Sequence, residues 1–206
     1  MIKTIIVVAG IILTTNAKNN SGFIPSLNSD TVSKILIVNS FDAMSMKARK
    51  NKKELFGELA DSLAQYLYQE VNKNGREAIV IPALLKDTTK IDSSIISLIS
   101  LHNASGAIVI RSLNAFFENM DVTVEEDKDG KSKIAYFDIC SSVIYQFYSK
   151  DKLERESEIS TRDPFSSRPV ISGFFAAGPD VVGKRKHVIK MMKENAGKYV
   201  HVVIDD

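Results

Sequence analysis

The chain has 206 residues, 44% of them hydrophobic and 25% charged, with a formal net charge of +2. These are the proportions of an ordinary globular domain with enough apolar material for a core, and so small a basic surplus argues against a dedicated nucleic-acid binder. The one cysteine, Cys140, excludes an internal disulfide and a cysteine-based zinc cluster.

Residues 1–17 have the layout of a secretory signal peptide. Lys3 supplies a positive start, Ile5 to Leu13 an apolar run, and Thr15-Asn16-Ala17 small residues where cleavage falls. The run is too short to span a bilayer well. A buried first strand is the competing reading, because Ile and Val at this density also suit a parallel sheet. Cleavage leaves a chain from Lys18 with no transmembrane span, in the periplasm or outside the cell. Residues 18–32, rich in Asn and Ser, form a flexible lead-in. Residues 33–206 are then expected to form a single α/β domain.

Ile35-Leu36-Ile37-Val38 reads as a buried strand. A basic loop follows, with Lys47, Arg49, Lys50, Lys52 and Lys53, suited to a solvated helix approach or to an anionic partner. Leu55, Leu59, Leu63, Leu67 and Val71 recur at helical spacing, and Asn74-Gly75 supplies a left-handed stop. Ala78 to Ile81 is a second strand, so the strand–helix–strand unit predicts parallel pairing. Asp92 caps a second helix over Ser93 to His102.

Gly106 to Tyr148 predicts two long strands around a turn at Asp127-Lys128-Asp129-Gly130. Strict alternation puts Ile108, Ile110 and Phe116 on one face of the first strand. It puts Ala107, Val109, Leu113, Ala115 and Phe117 on the other. The return strand carries Phe137, Ile139, Val143 and Tyr145 on one face and Asp138, Cys140, Ser142 and Gln146 on the other. The segment from Asn119 to Lys133 should overhang the domain, and Cys140 is expected as a small packed core side chain. Leu153 to Thr161, with alternating Glu154, Glu156 and Glu158, predicts an exposed edge strand guarded by charge.

Arg162 to Pro179 contains Pro164, Pro169, Gly173, Gly178 and Pro179, and reads as irregular. Its apolar residues Val170, Ile171, Phe174 and Phe175 either pack on the sheet or present a binding surface. A final amphipathic helix runs from about Asp180 to Val203, with Lys184, Arg185, Lys186, Lys190 and Lys193 on its wet face. His187 and His201 have no carboxylate–histidine pattern near them in sequence. The expected order is β-α-β-α-β-β-β-α, a mixed sheet with helices packed on it. No catalytic, cofactor-binding or metal-binding residue is expected.

Four short stretches carry a resemblance: Ile37-Val38-Asn39-Ser40-Phe41, Leu59-Ala60-Asp61-Ser62-Leu63, Gly75-Arg76-Glu77-Ala78-Ile79, and Ala104-Ser105-Gly106-Ala107-Ile108-Val109. With the element order, they resemble the small α/β domain at the N-terminus of TolB and in CsgG-like bacterial envelope lipoproteins. Ser105-Gly106 departs from the usual Ala-Asp of that group, the lipid-anchor cysteine is missing, and the TolB propeller has no counterpart. The chain looks most like the uncharacterised envelope members. The resemblance implies a non-enzymatic role in protein–protein interaction or envelope assembly with an unknown envelope partner, and no inherited active-site residues. Two alternatives stay open: a hydrolase-type enzyme with an unrecognised site, and an anionic membrane-surface binder. The candidate interaction surface is Val170, Ile171, Phe174 and Phe175, with the basic residues Lys47, Arg49 and Lys50.

Overall fold

The computed structural model describes residues 34–81, 91–127, 130–167 and 181–204. Strand β1 (Lys34–Asn39) is followed by a short 3-10 turn (Ala43–Ser45) and helix α1 (Lys50–Lys73). Then come β2 (Glu77–Ile81), α2 (Ile91–Leu101), β3 (Gly106–Asp127), β4 (Gly130–Tyr148) and β5 (Leu153–Ser167). A second 3-10 turn (Val181–Lys184) leads into α3 (Arg185–Ile204). The five strands form one mixed sheet in the order β2-β1-β3-β4-β5. β1 pairs parallel with both β2 and β3, as the crossover units require, and β3, β4 and β5 are antiparallel.

β1 explains why its four central residues are all apolar. Ile35 and Ile37 enter the large core under α1 and α3, while Leu36 and Val38 enter a smaller core under α2. A strand covered on both faces has no wet side, so it shows a continuous apolar run. The helix α1 buries Leu55, Phe56, Leu59, Leu63, Leu67 and Val71 as one stripe. It ends where Gly75 takes a φ of 73°, the left-handed conformation expected of Asn74-Gly75.

In β3, strict alternation fails. Ile110 pairs with Tyr145 but Ser112 pairs with Ile144, so Arg111 is an extra residue, a β-bulge. Before the bulge, Ile108 and Ile110 face the large core. After it, Leu113 and Ala115 do. Phe116 is therefore on the face opposite Ile108 and Ile110, contrary to an uninterrupted period of two. A second bulge lies between Glu118 and Asp121. β4 has no bulge against β3 and keeps its expected alternation: Phe137, Ile139, Val143 and Tyr145 are all buried in the large core.

Other boundaries move for local reasons. The helix α2 begins at Ile91, so Asp92 is inside its first turn and its carboxylate accepts a hydrogen bond from the Tyr148 hydroxyl at 2.7 Å. The strand β5 continues through Arg162, Asp163 and Pro164 to Ser167, pairing Asp138 with Pro164 and Ala135 with Ser167. An edge strand has one unpaired side, so it tolerates a proline. The two-stranded part of the hairpin is thus shorter than expected: Thr123–Asp127 paired with Gly130–Ile134. The turn residues Lys128 and Asp129, the expected start of the last helix at Asp180, and the segment 168–180 lie outside the described residues.

The helix α3 is fastened to the sheet by a buried polar link. The rings of Tyr145 and Tyr199 stack at 4.0 Å. The Tyr145 hydroxyl donates to Asn195 Oδ1 at 2.6 Å, and Asn195 Nδ2 donates to the Ile159 carbonyl at 2.7 Å. One fully buried asparagine therefore ties α3, β4 and β5 together.

Two predictions follow from this packing. A Cβ on Gly106 would stand 2.7 Å from the Tyr148 carbonyl oxygen and 3.0 Å from the Phe147 ring. Gly106→Ala should therefore destabilise the fold by about 1–3 kcal/mol, read as a lower denaturant midpoint. Burial raises the Tyr145, Tyr148 and Tyr199 hydroxyls above the ordinary 10.0, with the Asp92 hydrogen bond adding to the rise at Tyr148. A raised folded value means the protonated form is favoured in the fold, so the stability is intact below pH 10 and is lost as pH rises above it. Phenolate absorbance across an alkaline titration should show these three of the six tyrosines ionising late, together with loss of near-ultraviolet dichroism.

Candidate functional site

The two faces of the sheet are unequally covered. The helices α1 and α3 lie over the face that carries Phe137, Ile139, Val143 and Tyr145, whereas α2 packs only at the base of the other, against Ala107, Val109 and Tyr148. Beyond α2, Ser112, Asn114 and Glu118 of β3 and Glu156, Glu158, Ser160 and Arg162 of β5 are exposed. The register places these on one surface, with Asp138, Cys140, Ser142 and Ile144 of β4 between them.

A ladder of side-chain hydrogen bonds crosses this open face. At its base Tyr148 donates to Asp92, and Gln146 Nε2 donates to Glu156 Oε2 at 2.7 Å. In the middle Ser142 donates to Glu158 at 2.5 Å. At the top Arg162 Nη2 lies 2.6 Å from Glu118 Oε2, and its Nε lies 3.3 Å from Asp138 Oδ2. One guanidinium thus bridges two carboxylates from different strands, the pairing for which its planar fork is suited. Asp138 is diagonal to Arg162 across β4 and β5, and Glu118 lies one strand further, so this one side chain spans the register of three strands.

Cys140 sits below this cluster. It is buried, as expected, but it belongs to neither apolar core, and its thiol donates toward Glu118 Oε2 at 3.5 Å. Burial pushes the thiol above its ordinary 9.0, and the Arg162 contact opposes the rise only partly. The neutral thiol is not a good nucleophile. The expected result is slow modification of Cys140 by a thiol reagent near pH 8, with at least tenfold acceleration in denaturant, since ionisation and access both change on unfolding.

His187, with no carboxylate–histidine pattern near it in sequence, meets Asp163 across the fold, Nδ1 to Oδ2 at 3.6 Å. This pair is on the helix-covered side of the sheet and does not join the Cys140 cluster. Among the described residues, no three of His, Cys, Asp and Glu converge to hold a metal. The open face is a polar surface on which Glu118, Asp138, Ser142, Gln146, Glu156, Glu158 and Arg162 are bonded to one another.

Of the sequence-derived candidates, Lys47, Arg49 and Lys50 are exposed between the first 3-10 turn and the start of α1. Their neighbours are held down: Lys53 Nζ donates to the Met44 carbonyl at 2.6 Å, and Lys52 lies 5.7 Å from the centre of the Phe56 ring. Val170, Ile171, Phe174 and Phe175 lie outside the described residues. Sequence reading missed Glu118, Asp138 and Arg162, although the alternate polar residues of β5, from Glu154 to Arg162, and Asp138, Ser142 and Gln146 of β4 mark an open face.

The outer edge of β5 is the other exposed feature. β5 pairs with β4 along its length and has no strand on its far side among the described residues. No described helix is long and apolar enough to cross a membrane.

No family model matches the chain. No curated protein matches it either. Among solved structures, it is similar to rare lipoprotein B from Shewanella oneidensis, at 7% identity and a TM-score of 0.38, over 84% of this chain and 92% of that one. A homologue of neuraminyllactose-binding hemagglutinin from Helicobacter pylori matches at 13% identity and a TM-score of 0.43, over 82% and 81%. A minor lipoprotein from Acinetobacter baumannii matches at 7% identity and a TM-score of 0.33, over 84% and 89%. Likeness at this level establishes neither a family nor a function.

Proposed function

We propose that this chain is a non-enzymatic bacterial cell-envelope protein that acts by binding another envelope protein. The observation that carries the reading is the open face of β3, β4 and β5. Seven of its polar residues, Glu118, Asp138, Ser142, Gln146, Glu156, Glu158 and Arg162, are already bonded to one another, and burial raises its one thiol above the ordinary value. Such a surface can recognise a partner without reorganising, which keeps the entropic cost of binding low. The leader-like residues 1–17 support export to the periplasm or beyond, and Val170, Ile171, Phe174 and Phe175 supply a second, apolar candidate surface.

Two measurements test this reading. N-terminal sequencing of protein from fractionated cells should give a mature start at Lys18. Ser112→Arg with Asn114→Arg adds bulk and charge at exposed positions of the open face. The double variant should keep the thermal midpoint and lose the envelope protein that cross-links to the wild type. If it retains that protein while Phe174→Asp with Phe175→Asp loses it, the apolar segment is the docking surface.

A second reading is favoured by one observation. The first turn of α1 holds lysines and no acidic residue, against the preference of a helix N-terminus for negative charge. Lys47, Arg49 and Lys50 would then touch an anionic lipid surface peripherally. Vesicle binding that weakens with salt and with fewer anionic lipids is the expected result, and binding indifferent to both refutes it.

A further inference from the structure

We infer that the outer edge of β5 is a self-complementary surface that pairs antiparallel with β5 of a second copy of this chain, centred on Ile159. The segment from Arg155 to Asp163 carries opposite charges at mirrored positions about that residue. In an antiparallel pair centred there, Arg155 falls opposite Asp163 of the second copy and Glu156 falls opposite its Arg162. By symmetry each match occurs twice. Between them Ser157 meets Thr161, Glu158 meets Ser160, and Ile159 meets Ile159. Every match joins residues on the same face, because the positions in each pair share parity.

Three features of the fold suit this pairing. The edge has no neighbouring strand among the described residues. Within its own sheet, β5 puts none of these four charges directly opposite a charged residue: Arg155 faces Phe147, Glu156 faces Gln146, Arg162 faces Cys140 and Asp163 faces Ile139. The four side chains are nevertheless held in place. Arg155 donates to the Val202 carbonyl at 3.2 Å, Asp163 contacts His187, Arg162 contacts Glu118 and Glu156 accepts from Gln146. The matched segment stops at Pro164, which has no N–H to give to a neighbouring strand.

Charge-swap variants test the register. The full-length protein should show a concentration-dependent dimer in analytical ultracentrifugation, weaker at high salt. Arg162→Glu sets two glutamates opposite one another at both ends, and Glu156→Arg sets two arginines there. Each variant alone should raise the dimer dissociation constant by roughly tenfold. Mixing the two restores opposite charges at both ends, so a heterodimer should form, and the double variant Glu156→Arg with Arg162→Glu should recover the homodimer. Circular dichroism checks that each chain is folded. Recovery separates pairing across the edge from loss of the Arg162–Glu118 contact, which neither rescue rebuilds. A wild type that is monomeric at every concentration overturns the inference. So does a dimer that survives both single reversals, or one lost in both and not restored by mixing.

Discussion

The fold depends on one constraint: β3 must keep an apolar row over a single core while it passes from the buried base of the sheet to its exposed upper half. An unbroken strand could not do this with the residues present. Ile108 and Ile110 are even-numbered, and Leu113 and Ala115 are odd. The bulge at Arg111 absorbs the change of phase, and all four enter the core under α1 and α3. Without it, Leu113 and Ala115 would turn to the open face while Ser112 and Asn114 pointed into the core. Buried hydroxyl and amide groups without partners cost more than the local loss of ladder geometry at a bulge.

That single phase change also creates the site. Above the bulge, the even residues of β3 join the even residues of β4 on the face that α2 does not reach. Glu118 comes to lie opposite Asp138 by this register. Two carboxylates facing each other repel, and Arg162 from β5 relieves the repulsion by contacting both. Exposed ion pairs contribute little stability individually. Their value here is positional, because a guanidinium bridging β3 and β4 resists sliding of β5 along its edge.

Much of the architecture could be read from the sequence, and the reasons are physical. The run Ile35 to Val38 marks a doubly covered strand, the leucine stripe of α1 marks its buried face, and Asn74-Gly75 marks its end. These signals are local. The bulge is only half local. It shows as a shift from even to odd apolar positions between Ile110 and Leu113, which a fixed period of two hides. The continuation of β5 past Arg162 was masked by Pro164, since whether proline is tolerated depends on the strand lying at an edge. The pairs Arg162–Glu118 and His187–Asp163 join residues 44 and 24 positions apart, and no spacing rule connects them. The expected surface at Val170 to Phe175 concerns residues outside those described.

Charge along an edge strand admits two physical roles, and its arrangement distinguishes them. A strand that only repels neighbours works best with one sign throughout, because every register is then unfavourable. From Glu154 to Glu158 β5 approaches that design, with three glutamates and one arginine. Extended to Asp163, it acquires Arg162 and loses that uniformity. Mirrored opposite charges favour one antiparallel register: centred on Ile159, all four charges meet an opposite one, whereas a two-residue slip either way keeps only Arg162 against a glutamate and leaves Arg155, Glu156 and Asp163 against uncharged residues. Specificity of this kind is a difference between the right alignment and the wrong ones. The same row of side chains therefore discourages indiscriminate strand addition while favouring one partner, and the sheet can keep a long open edge without being a general template for aggregation.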